Sequence, residues 1–226
     1  MTNGRETALI VGAGSGLSAA LARLFSSEGM AVHLAARDSA KLSALCKETG
    51  ATAHRCDASH PDDVAALFDA LPSVPDLVVY NPSRRVRGPV HELDPEEVRA
   101  AIETTCFGAF LVGREAAGRM IPRGSGSILF TGASASVKGY ANSSAFAMGK
   151  FGMRGLCQSM ARELQPRGIH VGHFLIDGII ASASRQAEDD AYLDPGAIAR
   201  SYLGLHRQHK SAWTWEMELR PWVETF

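Results

Sequence analysis

Short apolar runs that alternate with stretches of helical periodicity set the tightest limit on how this chain can fold. ALIV (8–11), AVHLAA (31–36), ATAHRC (51–56), DLVVYN (76–81), SILFT (127–131) and HVGHFLI (170–176) each read as a strand. Between them, apolar residues recur every three or four positions. Leu17, Leu21, Leu24 and Phe25 form the first such band, which Gly29 should end; Leu42 with Leu45, and Val64, Leu67, Phe68 and Leu71, follow. A long helical stretch over 95–120 carries Val98, Ile102, Phe110 and Leu111, and another over 145–165 carries Met153, Leu156, Met160 and Leu164. Parallel neighbours need a crossover, normally a helix. The alternation therefore predicts an α/β fold, a Rossmann-type doubly wound parallel sheet of about seven strands flanked by helices.

Toward the C-terminus, Ile198, Tyr202 and Leu205 suggest one more helix. AWTWEMEL (212–219) alternates apolar and polar residues strictly, as a half-covered edge strand does. No repeat, linker or low-complexity segment divides the 226 residues, so a single domain over 1–226 is expected. A net charge of -1 supplies no general attraction to nucleic acid or to an anionic membrane, and neither is expected as a partner. No apolar run is long enough for a membrane span or a secretion signal, and the four cysteines show no C-x-x-C spacing. A soluble cytoplasmic protein with reduced thiols and no metal is the expectation.

Ligands of doubly wound sheets sit at the carboxyl ends of the strands. There, VGAGSGLS (11–18) places Gly12, Gly14 and Gly16 between the first strand and the first helix. Glycine permits the tight turn and lets backbone N–H groups approach a pyrophosphate at the positive end of the helix. At the end of the second strand, where an acid would hold a free ribose 2'-hydroxyl, stands Ala36, followed by Arg37. A guanidinium suits a 2'-phosphate in charge and in fork geometry, so NADP is expected over NAD. Asp38 keeps NAD open, as a ribose ligand, if it does not cap the following helix.

The spacing from Gly12 to Gly16 resembles the T-G-x-x-x-G-x-G motif of the short-chain dehydrogenase/reductase family, with Val11 for the threonine and Ser18 for the last glycine. The likeness runs through nearly the whole chain and is clearest from Gly12 to Gly178. It implies that Gly12, Gly14, Ser15, Gly16, Leu17, Arg37, Asp57, Asn81 and Lys150 bind the dinucleotide, Asp57 at the adenine and Asn81 from the segment where the family has N-N-A-G. It also implies hydride transfer between an alcohol and a carbonyl at an Asn, Ser, Tyr, Lys centre.

Against Y-x-x-x-K this chain sets FAMGK (146–150): Lys150 is kept, and Phe146, which has no proton to give, stands for the tyrosine. Ser134 is expected to orient the carbonyl, with Ser136 as the alternative, and Thr105 falls where the family's asparagine would lie. Tyr140 is a candidate replacement donor, beside water and Ser134 itself; a rim residue is the competing reading for it. Arg84, Arg85 and Arg87 lie beyond the fourth strand, where they either attract an anionic substrate or, the favoured reading, form a solvated loop. His170 with His173, and His206 with His209, do not suggest a metal site.

The family's substrate-covering segment corresponds to a short stretch near 178–210. Its usual dimers or tetramers imply a homodimer or homotetramer here, through helices bearing Phe107, Phe110 and Phe151. Two functional readings follow. One is an NADP-preferring oxidoreductase with a degenerate catalytic set acting on a small carbonyl or alcohol. The other is a catalytically inactive dinucleotide-binding protein that serves as a sensor or partner subunit.

Overall fold

A computed structural model describes residues 5–182, 184–186 and 188–224. Its strands are β1 (Thr7–Val11), β2 (Ala31–Ala36), β3 (Thr52–Arg55), β4 (Leu77–Tyr80), β5 (Gly126–Thr131), β6 (Ile169–Ile176) and β7 (Glu216–Leu219). They form one seven-stranded sheet in the order β3-β2-β1-β4-β5-β6-β7. Every neighbouring pair is parallel. The order reverses between β1 and β4, and a crevice opens there at the carboxyl ends.

The helices are α1 (Leu17–Ser27), α2 (Ser43–Thr49), α3 (Pro61–Asp69), α4 (Pro95–Ile102), α5 (Gly108–Met120), α6 (Ser144–Leu164) and α7 (Pro195–His206). Period-two alternation along the buried strands feeds two cores. Leu9, Val11, Val78, Tyr80, Ile128, Phe130 and Val171 pack with α3, α5 and α6. Ala8, Ile10, Leu34, Val79, Leu129 and Phe174 face the other way, toward α1 and α7. Strands covered on both faces read as continuous apolar runs, which is why these segments are legible in the sequence.

Helix ends follow local chemistry. Gly29, at φ +87, takes the left-handed turn that releases the chain from α1. Asp94 and Asp194 accept bonds from the backbone N–H groups of Glu96 (2.9 Å) and Ala197 (2.7 Å), each ahead of a proline at the first helical position.

Two sequence expectations are corrected. The stretch over 95–120 is not one regular helix: a π turn, Glu103–Phe107, separates α4 from α5. Gly108, which follows this turn, lies so close to the loop after β3 that a Cβ there would be 2.7 Å from the Ala58 carbonyl oxygen. The edge strand predicted over 212–219 is confined to β7, because the residues before it are tied to Gln208 instead. Trp213 Nε1 donates to its carbonyl (3.1 Å), and the Thr214 N–H donates to its side-chain oxygen (2.8 Å). Within the segment expected to cover substrate, 178–210, the expected helix is α7, whose Ile198, Ala199, Tyr202, Leu203 and Leu205 are buried in the core. Among the described residues, no helix is long and apolar enough to cross a membrane.

Candidate active site

The β1–α1 turn is held by backbone and side chain together. Gly12, at φ +80, and Ala13 both donate to the Ala35 carbonyl at 2.9 Å, tying the turn to the end of β2. A Cβ on Gly12 would meet the Pro82 nitrogen at 2.6 Å, so the position admits no side chain. Ser18, 2% exposed, donates its hydroxyl proton to the Gly12 carbonyl (3.1 Å) and accepts a bond from Asn81 Nδ2 (2.7 Å). The hydroxymethyl group at this position thus links β4 to the glycine turn.

A crevice of about 730 Å³ opens beside this turn, lined by Gly12, Gly14, Ser15, Arg37, Asp57 and Asn81 among others. A Cβ on Gly14 or Gly16 would meet nothing within 4 Å. The first turn of α1 has no side-chain cap; the Ala19 and Ala20 N–H groups donate to the Gly16 carbonyl, which leaves those of Leu17 and Ser18 for a ligand. Gly16, exposed at the head of α1, and Leu17, buried beneath it, lie outside the lining.

At the crevice's far wall Asp38 pairs with Lys41 (3.2 Å) and makes no side-chain cap to the turn it heads, so the capping role is not the one it takes. Among the described residues, Arg37 has no carboxylate within 4.0 Å, although its charge contributes to Asp57. Burial pushes the Asp57 carboxyl up, but the Ser59 hydroxyl and N–H, His60 and Arg37 outweigh it and leave a net downward shift.

The crevice fits a dinucleotide on these grounds: a side-chain-free turn, uncapped helix N–H groups, a cation at the end of β2 and an ionised carboxylate at the end of β3.

The end of β5 and the start of α6 form the second part of the site. Lys150 is 3% exposed, and its Nζ donates to the Thr131 carbonyl at 2.6 Å. It lines neither the crevice nor the smaller cavity described next. Burial, reinforced by Arg85, lowers its pKa to about 7. Phe146 covers it, with Nζ 5.8 Å from the ring centroid. On the ring lies Arg85, its guanidinium carbon 4.4 Å from the same centroid.

A cavity of about 340 Å³ is walled by Phe146, Arg85, Arg87, Ser134, Tyr140 and Ser143. Ser134 and Tyr140 therefore share one space, with Tyr140 48% exposed at its mouth. Ser136 does not: fully buried, it accepts a bond from the Ala133 N–H (3.2 Å) and lies 3.4 Å from His173 Nε2.

Thr105, in the π turn and fully buried, accepts a bond from the Arg84 N–H at 3.2 Å. It thereby fixes the loop that carries Arg85. The sequence marks that loop as arginine-rich but holds no signal that one guanidinium would fold onto Phe146.

The histidines singled out in the sequence are occupied structurally. His170 stacks on Trp213 with ring centroids 4.5 Å apart. His173 donates from Nδ1 to Glu216 at 2.9 Å, and burial lowers its pKa to about 4 against the raising effect of that carboxylate. His206 bridges Ser127 and Glu6, and His209 bonds Ser211. Among the described residues, no three His, Cys, Asp or Glu side chains are grouped as metal ligands would be.

A parallel sheet with this strand order, a glycine turn at its switch point and a serine beside the head of α6 define a dinucleotide-dependent oxidoreductase architecture. Residues 6–192 match the short chain dehydrogenase family, and the chain belongs to it. It is 33% identical over 174 residues to the cis-4-hydroxycyclohexanecarboxylate dehydrogenase of Sinomonas cyclohexanicum, covering 74% of this chain and 70% of that protein. Among solved structures, a short-chain dehydrogenase from Rhodopseudomonas palustris superposes with a TM-score of 0.85 at 37% identity, over 96% of this chain and 99% of that one. A metagenomic short-chain oxidoreductase in complex with NADP gives 0.83 at 29% identity, over 96% and 98%.

Proposed function

We propose that this protein is an NADP-preferring oxidoreductase that interconverts an alcohol and a carbonyl, slowly, with a degenerate catalytic set. The observation that carries the cofactor preference is the pairing at the end of β2: Asp38 is engaged by Lys41, while Arg37 lines the crevice without a carboxylate partner among the described residues. An acid that already has a lysine partner and a cation that has no carboxylate partner, side by side at that wall, favour a 2'-phosphate. The turn from Gly12 to Gly16 and the first turn of α1 would hold the pyrophosphate, Asp57 the adenine end, and Asn81 the wall beside the turn. The dinucleotide supplies or accepts the hydride.

The chain's own residues manage the substrate oxygen. The Ser134 hydroxyl donates a hydrogen bond to the carbonyl and orients it. Phe146 moves no proton, and Tyr140, whose phenol borders the same cavity, is the donor we assign. Lys150, turned to the Thr131 carbonyl, lowers no phenol's pKa from that position. Losing a positioned acid typically lowers the rate by ~10²- to 10⁴-fold, which slows hydride transfer without abolishing it.

The same absence of a phenol at Phe146 favours the second reading, a protein that binds the dinucleotide and does not turn over. One experiment separates them. NADPH and NADH are titrated by calorimetry into wild type and Arg37→Ala, and NADPH oxidation is then followed across a panel of small aldehydes and ketones. Tight NADPH binding that falls toward the NADH affinity in Arg37→Ala, with slow substrate-dependent oxidation, supports the enzyme. Binding without oxidation supports the sensor, and no heat from either nucleotide sinks both.

We also infer a homodimer or homotetramer. Phe107 and Phe110, with ring centroids 6.0 Å apart, are 42% and 44% exposed, near Phe151 at 45% on α6. Such a cluster of exposed aromatics on adjoining helices suits burial against a second copy.

A further inference from the structure

The cavity between Phe146 and the loop after β4 carries more positive charge than hydride transfer to a neutral carbonyl requires. Arg85 and Arg87 both line it, and Arg185 is close enough to act on Arg85. Among the described residues, none of these three has a carboxylate within 4.0 Å, whereas Arg84, one position along, is paired with Glu97. Burial is the main cause that lowers the Arg85 pKa, and the like charges of Arg87 and then Arg185 add to it.

The cluster is also held in place. The Arg84 N–H donates to Thr105 Oγ1 (3.2 Å), and the Gly88 N–H donates to the Asn142 carbonyl (3.2 Å), so the arginine loop is tied to the Tyr140 wall opposite. Stacking on Phe146 engages one face of the Arg85 guanidinium and leaves its N–H donors at the edge for an acceptor.

We propose that this cavity is an anion site and that the substrate carries a carboxylate, gripped by Arg85 with Arg87 while Ser134 faces the reacting carbonyl. A planar fork of donors matches the two coplanar oxygens of a carboxylate, and about 340 Å³ suits a small acid. The ring of Phe146 thus has a use that a proton donor does not need: it is the platform on which the anion-binding arginine rests. The substrate half of this proposal rests on the hydride-transfer reading above; the anion site itself does not.

The test uses a probe that cannot be reduced. Benzoate and its neutral isostere benzamide are titrated by calorimetry into the full chain, into Arg85→Met and into Arg87→Met, with NADPH titration and circular dichroism reporting an intact fold. Benzoate should bind at least about tenfold more tightly than benzamide, and Arg85→Met should weaken benzoate about ten- to a hundredfold while leaving benzamide unchanged. Equal affinities for the two probes, or benzoate binding untouched in both variants, would overturn the anion site while the dinucleotide reading stood. Benzoate discrimination in a protein that gives no heat with NADPH would keep the anion site and overturn the claim that the acid is a substrate.

Discussion

Replacing Lys150 with methionine should remove a pH dependence of stability that reports the buried charge directly. The ammonium is 3% exposed and donates to the Thr131 carbonyl at 2.6 Å; the cation Arg85 acts on it as a like charge. Burial first, then Arg85, lower its pKa from 10.5 to about 7. In the unfolded chain it titrates near 10.4. Between those two values the folded protein has shed the proton and the unfolded chain still holds it, so the unfolded state binds more protons and stability rises with pH. Below about pH 7 both states are charged, and the burial penalty is present in full.

A tenfold change in proton affinity corresponds to about 1.4 kcal/mol, so wild type should gain roughly 2 kcal/mol on Lys150→Met between about pH 7 and about pH 9. Methionine fills a similar volume without a charge, so the variant is favoured most at the acid end of that range. Urea unfolding of both proteins without nucleotide, at four pH values across this range, gives the difference with all other titrations cancelled. A difference flat to within about 0.5 kcal/mol would show that Lys150 stays charged when folded, and the account of it as a cation trapped without a counterion would be wrong.

The other expectations concern rate, backbone and assembly. Phe146→Tyr returns a phenol to the wall that Ser134 shares, with the Arg85 guanidinium on the ring, and should raise NADPH oxidation by about a hundredfold; an unchanged rate would mean that the inward position of Lys150 also blocks the chemistry. Gly12→Ala places a Cβ at φ +80 and 2.6 Å from the Pro82 nitrogen, so it should lower stability by about 2–4 kcal/mol; a loss under about 1 kcal/mol in denaturant melts would show that the turn relaxes. Phe110→Asp should reduce the mass seen by light scattering to that of a monomer, and a wild type already monomeric at micromolar concentration would refute the oligomer.

Much of the architecture is legible in the sequence because strand and helix periodicities are local. The runs at β1, β4 and β5 are apolar on both faces, and the glycine turn lies directly between a strand and a helix, so neighbouring residues alone announce them. The π turn after Ile102 leaves no such trace, and the close approach of Gly108 to Ala58 that accompanies it involves a residue from a different crossover. The edge strand is shorter than its pattern suggests for a similar reason: alternation in AWTWEMEL is real, but Gln208 captures its first residues from outside the segment.

At the site, residue identity came from the sequence and relationship came from the fold. FAMGK shows that residue 146 has no proton to give, and Arg37 beside Asp38 poses the choice of cofactor. Only the tertiary structure turned Lys150 toward Thr131, joined Ser18 to Asn81, separated Ser134 from Ser136 and laid Arg85 on the Phe146 ring. The Ser18–Asn81 and Arg85–Phe146 contacts join segments that follow different strands. Strand order decides which loops meet, and that order is set by the packing of the whole sheet rather than by any window of the chain.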